Sequence, residues 1–235
     1  LLNRVVWSDV IEVIKEEASV LPTASLHKIR ALRTLCAADI DVMRSPCHNV
    51  AILFGISIAK SLKTKQKIFF SDISKEACKN AELNCNKMKI NHEIRQGSLL
   101  SPWIGENFDY IISDVAAVAE DVSKMSPWYK NCVNNSGYDG TKHIINIISN
   151  AKNYLKKNGK FIFPIISLSN EKKILLACKQ NFKKIKEVKN KVFPLPKSMA
   201  TKILILNKLK KKGIISFDEK FGIIVFKTTV YCLTK

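Results

Sequence analysis

The sequence predicts an α/β domain in which a mostly parallel sheet carries helices on both faces and ends in a C-terminal antiparallel hairpin. Three observations predict it. Short apolar runs alternate with stretches of helical period, the clearest run (Phe108 to Ile112) is apolar almost throughout, and most runs end in a turn holding Asp, Ser or Gly. Strands buried on both faces read this way, because right-handed crossovers lay helices on either side of a parallel sheet.

The elements follow in order. Val6, Val10, Val13 and Ile14 mark an amphipathic helix that ends near Leu21-Pro22, and Ser25 to Ala37 reads as a second helix. Residues 1–38 are therefore expected to form an N-terminal helical segment, with residues 39–235 as the main domain. Ile40 to Met43 is the first strand expected, followed by a loop and a helix capped by Asn49, with Ile52, Ile56 and Ala59 on one face. Lys67 to Phe70 is the next strand. Ser74 is a candidate N-cap for a helix striped by Ala77, Ala81, Cys85 and Met88. His92 to Arg95 and Phe108 to Ile112 are strands, and a helix from about Gly140 is expected to stop at Asn158-Gly159. Lys160 to Leu168 is a strand, Asn170 to Gln180 a helix and Ile185 to Phe193 strand-like. After Pro194-Leu195-Pro196 comes a Lys-rich helix ending at Lys212-Gly213. Ile214 to Phe217 and Gly222 to Leu233 are expected to form the hairpin arms. The whole is Rossmann-like.

Composition narrows the classes. With 235 residues, 46% of them hydrophobic and 25% charged, collagen-like, coiled-coil and wholly disordered chains are excluded. The longest unbroken apolar run, Val50 to Ala59, is far short of the roughly 20 residues that span a bilayer, and Leu1-Leu2-Asn3-Arg4 lacks a signal-peptide layout. A cytoplasmic protein is expected. Seven cysteines without a C-x-x-C pair and four scattered histidines give neither a disulfide framework nor a metal cage. Cys47-His48 reads as a loop cysteine beside a surface histidine.

The net charge of +19 is unevenly placed: residues 151–235 carry 21 basic against four acidic side chains. Lysine supplies nearly all of it, as an AT-rich genome also would. The expectation is that this basic part engages RNA or another polyanion. Residues 29–59 break the pattern, with no lysine but three of the chain's five arginines.

In an open α/β sheet, ligands bind beyond the carboxyl ends of the strands. Four such places carry chemistry here. Asp72, followed by Ile73, offers a carboxylate to a ribose diol, or else caps the next helix. Gly97-Ser98 permits close backbone approach, or else is a plain turn. Ser113-Asp114 puts a hydroxyl and an acid at the cleft mouth, and Trp128-Tyr129 is an aromatic pair suited to covering a substrate or to packing a connection.

The order and spacing of these residues resemble class I S-adenosylmethionine-dependent methyltransferases, over about residues 40 to 168. Asp72, Ser74, Glu76, Ala77, Ala81 and Asn84 match the acid and helix that follow that family's second strand. Gly97-Ser98 falls where it has Gly-Asp, FDYIISD where it has FDLIxSNPP, and Gly137-Tyr138-Asp139-Gly140 with LKKNGKFIF resembles its later strand entry. The subgroup most resembled holds the release-factor glutamine and small-domain nucleic-acid N-methyltransferases.

The resemblance implies S-adenosylmethionine as cofactor, bound by Asp72, Ile73, Gly97, Ser98 and Ser113. It implies Asp114 at the reacting centre, Trp128 and Tyr129 on the substrate side, and an acceptor that is RNA, protein or a small molecule. Three departures qualify it, the mildest being Ser98 in place of the family's adenine-side acid. The glycine loop is replaced by Arg44-Ser45-Pro46-Cys47-His48-Asn49, which implies weaker cofactor binding. The N-P-P-Y motif is replaced by Asp114-Val115-Ala116-Ala117, which removes the aromatic platform for a planar nitrogen acceptor. A non-catalytic binding or scaffold descendant of the fold is the rival. A nucleotide-dependent oxidoreductase would need G-x-G-x-x-G after the first strand.

Overall fold

In the computed structural model, which describes the main chain of residues 34–37 together with residues 67–115, 117–129 and 135–235, the sheet is a mixed one. Its elements are β1 (Thr34–Ala37), β2 (Ile68–Asp72), α1 (Lys75–Lys87), β3 (His92–Gln96), β4 (Phe108–Ser113), α2 (Glu120–Met125) and α3 (Lys142–Asn150). They continue with β5 (Leu155–Ile166), α4 (Glu171–Asn181), β6 (Lys184–Pro194), α5 (Lys197–Ala200), α6 (Ile203–Lys211), β7 (Asp218–Lys220) and β8 (Ile223–Thr234).

The strand order is β3-β2-β1-β4-β5-β8-β6, with β7 added on β8. From β3 to β5 all neighbours are parallel, whereas β8 runs antiparallel to β5, β6 and β7. The parallel half is expected from the alternating pattern, and the β7–β8 hairpin closes the chain.

Period-two alternation sends successive side chains to opposite layers. Ile68 and Phe70 of β2, Tyr110 and Ile112 of β4 and Ile162 of β5 face α1 through its buried Ala77, Ala81 and Cys85. Phe69, Ile111, Phe161 and Phe163 face the other way, onto Ile144, Ile147 and Ile148 of α3 and Ile174 and Cys178 of α4, and Phe108 joins them where the β4–β5 register shifts between Phe108 and Tyr110. Phe69, Trp103 and Phe108 meet edge to face at 5.3 to 5.8 Å, an arrangement worth about 1 kcal/mol per pair beyond area burial. A third cluster lies over the carboxyl end of β5 and the amino-terminal part of β8. In it Leu206 and Leu209 of α6, Ile214, Ile215 and Phe217 bury Val118, Ala119, Val122 and Leu168.

Four expectations are corrected. A central strand lies at Thr34–Ala37, inside the stretch read as the second helix. Its four residues pair with β2 on one side and β4 on the other, and a short apolar run of that kind is not separable from helix by periodicity. The helix after Gly140 ends at Asn150 rather than Asn158, because Leu155 already pairs with Phe108 in the sheet. Asn158, at φ 65°, makes a turn within β5 instead of a helix cap. Met88 is the half-exposed C-cap of α1, not part of its buried stripe. Ile214 to Phe217 is no hairpin arm: burial in the third cluster claims it, and the arms are β7 and β8 about Phe221-Gly222. The segments expected at 6–21, 40–43 and from Asn49 lie outside the described residues, as do Cys47 and His48.

Candidate active site at the carboxyl edge of the sheet

Ala37 of β1 is level with Ser71 of β2 on one side and Ser113 of β4 on the other. One residue further along, Asp72 and Asp114 leave the two strands that flank β1. Adjacent strands lie about 4.8 Å apart, so these acids stand roughly 10 Å from each other across the central strand. This is the topological switch point of the sheet, where the chain turns toward β2 on one side and β4 on the other.

The β2–β3 side is built from hydrogen bonds. Asp72 is 7% exposed, and its Oδ1 accepts the Ser74 N–H at 2.8 Å, which fixes the direction of the carboxylate. Ser74 Oγ in turn accepts the Ala77 N–H, so one short turn both orients the acid and starts α1. The Asp72 carbonyl accepts the Gly97 N–H at 2.9 Å, and the Ile73 carbonyl accepts the Gln96 amide at 3.1 Å. Asp72, Ile73, Gly97 and the exposed Ser98 are thereby brought together.

Gly97 is required on two counts: its φ is 155°, and a Cβ there would stand 2.6 Å from Pro102 Cγ. Pro102 belongs to the turn Ser101–Trp103, braced by Arg95. The guanidinium donates to the Pro102 carbonyl and to Glu93, and lies 4.3 Å over the Trp103 ring. Hydrogen bonds from Lys67, first, and from Arg95 hold the Glu93 carboxyl below its ordinary value against a smaller upward push from burial. Ser71, which the sequence reading passed over, donates from Oγ to the Leu99 carbonyl at 3.1 Å and supports a loop whose Leu99 has φ 49°. A small hydroxyl one residue before the site acid was its only signal.

The β4–β5 side is apolar and closed. Ser113 is 1% exposed and its Oγ has no hydrogen-bond partner among the described residues, an orphaned polar atom of the kind that a ligand satisfies. Asp114 is half-buried; Val115, Ala117, Val118 and Ala119 behind it are buried, and Ala116 lies outside the described residues. Gly140, at φ 75°, touches this segment so closely that a Cβ would stand 2.6 Å from the Val118 carbonyl carbon. Ser136 Oγ donates to the Val118 carbonyl at 2.6 Å. Burial pushes the Asp139 carboxyl up, but hydrogen bonds from Lys173 and Thr141 outweigh it and leave the group below its ordinary value. Trp128 and Tyr129 are half-buried and pack on the third cluster, the Trp128 ring 5.5 Å from Phe226. The structure thus packs them on the cluster that holds Val118 and Ala119.

Comparison with known proteins agrees with this fold. No family model and no curated protein matches the sequence. Among solved structures, a Listeria monocytogenes protein assigned to the class I S-adenosylmethionine-dependent methyltransferases superposes with a TM-score of 0.51 at 12% identity, over 97% of this chain and 59% of that one. The ribosomal protein L11 methylase of Lactobacillus delbrueckii subsp. bulgaricus gives a TM-score of 0.46 at 14% identity, over 93% and 76%. The first of these superpositions shows that the chain has the class I methyltransferase fold. At these identities the likeness is one of architecture.

Proposed function

We propose that this chain is an S-adenosylmethionine-dependent methyltransferase whose cofactor lies across the carboxyl ends of β2, β3 and β4. The observation that carries the reading is the convergence of an oriented acid, a glycine turn and an orphaned hydroxyl around the switch point. Asp72 accepts hydrogen bonds from the ribose diol, Ile73 packs against the base, and Gly97 with Ser98 lines its edge. Ser113 donates to the cofactor, and Asp114 faces the sulfonium or orients the acceptor. Bound S-adenosylmethionine supplies a methyl group already activated on sulfur. The protein's own residues have to place donor and acceptor in line and keep water away, which the buried Val115 and Ala117 favour. With Val115, Ala116 and Ala117 in place of two prolines and an aromatic residue, the acceptor is not held in the N-P-P-Y manner.

A second reading, a non-catalytic scaffold of the same fold, is favoured by one observation. Val118 and Ala119 are fully buried under the segment 195–217, which fills part of the acceptor side.

Calorimetry with S-adenosylhomocysteine tests the proposal. Asp72→Asn keeps an oxygen for the Ser74 N–H and removes the charge. A charge-assisted hydrogen bond is worth about 1.5 to 3 kcal/mol, so affinity should fall at least about tenfold. Unchanged affinity in the variant would mean that Asp72 is not in the pocket. No binding to the native chain at millimolar ligand would favour the scaffold reading, and transfer of labelled methyl to any acceptor would exclude it.

A further inference from the structure

The acceptor side of the candidate site has a basic rim, and the rim is anchored by the segment that closes it. Leu206 and Leu209 bury one face of α6 in the cluster that also holds Val118 and Ala119, four and five residues past Asp114. The opposite face and the helix end carry Lys208, Lys211 and Lys212, all exposed. Among the described residues no carboxylate pairs with these three lysines. Lys210 is used differently: its ammonium donates to the Phe217 carbonyl and lies 4.4 Å over the Phe217 ring, tying the helix end to the third cluster.

Lys212 reaches across to Tyr138. Its Nζ donates to the Tyr138 hydroxyl at 3.2 Å and lies 5.8 Å from the ring centroid. Tyr138 is 51% exposed, yet its carbonyl accepts the Glu120 N–H, so the ring projects from a loop fixed to the start of α2. The two acids that flank Tyr138 in these contacts are already matched: Glu120 pairs with Lys124 and Asp139 with Lys173. The helix dipole accounts for cations in the last turn of α6, but not for an exposed aromatic ring held beside them.

We propose that Tyr138 with Lys208, Lys211 and Lys212 forms a contact surface for a nucleic-acid strand, the ring stacking a base and the ammonium groups meeting successive phosphates. Accepted with the methyltransferase reading on which it builds, this makes the methyl acceptor a nucleotide within that strand. Stacking on a fixed aromatic ring tolerates any base, and lysines contribute charge without sequence information. The surface therefore gives affinity and direction, and leaves selection of the acceptor to the cleft.

The test is fluorescence anisotropy with a labelled single strand of mixed sequence, made once as RNA and once as DNA, on the full chain at about 50 to 200 mM salt. Lys208→Gln/Lys211→Gln/Lys212→Gln should weaken binding by more than about tenfold at low salt and reduce the slope of log affinity against log salt by roughly 2. Tyr138→Ser should weaken it on the order of tenfold with little change in that slope, and Tyr138→Phe should not. Lys179→Gln/Lys183→Gln/Lys184→Gln removes equal charge at the opposite edge of the sheet and should leave affinity within about twofold. Equal weakening by the two triple variants, no binding at low salt, or displacement by polyglutamate as readily as by nucleic acid would overturn the proposal. RNA bound more tightly than DNA would assign the strand to RNA, and the reverse to DNA. Because the assay contains no cofactor, it fails or succeeds independently of calorimetry with S-adenosylhomocysteine.

Discussion

The two halves of the carboxyl edge are made in different ways. On the β2–β3 side, Asp72, Ser74, Ser71 and Arg95 fix the backbone through hydrogen bonds, and Ser98 stays exposed. On the β4–β5 side, Val118, Ala119, Val122 and Leu168 are fully buried by the segment 195–217, and apolar contact sets the positions. A hydrogen-bonded floor can keep its shape while open to a small polar ligand. An apolar wall keeps its shape only while covered, so the β4–β5 side depends on residues far away in sequence. Substitutions should therefore act locally on the floor and cooperatively on the wall.

The largest effect is expected at Gly140. A Cβ there meets backbone atoms of Val118 and Ala119 at 2.6 and 2.7 Å, at φ 75°. Strain and overpacking together should cost Gly140→Ala about 4 kcal/mol in urea unfolding. Leu206→Ala, which opens the fully buried wall, should cost about 3 kcal/mol and weaken protection from hydrogen exchange in β7 as well as α6. If only α6 is affected, the wall is not one cooperative unit.

On the floor the effects are smaller. Gly97→Ala meets a proline ring rather than backbone and should cost about 2 kcal/mol. Ser71→Ala loses one buried hydrogen bond to Leu99, about 1 kcal/mol, and should change S-adenosylhomocysteine binding in calorimetry more than stability. A loss of stability at Ser71 as large as that at Leu206 would erase the contrast.

The pH dependence is smaller still. The carboxyls of Glu93 and Asp139 titrate below their ordinary values of 4.5 and 3.8. The folded state therefore binds fewer protons than the unfolded chain in that range. Their contribution is fully present above those values and is lost as pH falls through the lower folded ones. Glu93→Gln should flatten acid unfolding below about pH 4.5, with no more than about 1 kcal/mol at neutral pH, since its partner Lys67 is on the surface. Cys85 and Cys178, pushed up by burial to about 11 and 12, should be alkylated by iodoacetamide at pH 7 far more slowly than a free thiol.

Much of the floor was legible in the chain itself. A capping serine after an acid, a glycine after a strand and a stripe of small residues are local features, and Ser74, Gly97, Ala77 and Ala81 are placed as their spacing implies. The Lys-rich helix was legible as a helix for the same reason.

What the sequence determined alone was thus the alternation of strands and helices, the residues that end β2, β3 and β4 and the concentration of charge after residue 150. Tertiary structure decided the rest. Thr34 to Ala37 is a strand because β2 and β4 pair with it from both sides, Ile214 to Phe217 is buried coil because a third cluster needs its side chains, and Lys212 meets Tyr138 across 74 residues. The physical reason is common to the first two. A backbone pairing or an apolar face has no local preference strong enough to declare itself, and is settled only by which distant segment offers the partner that removes it from water.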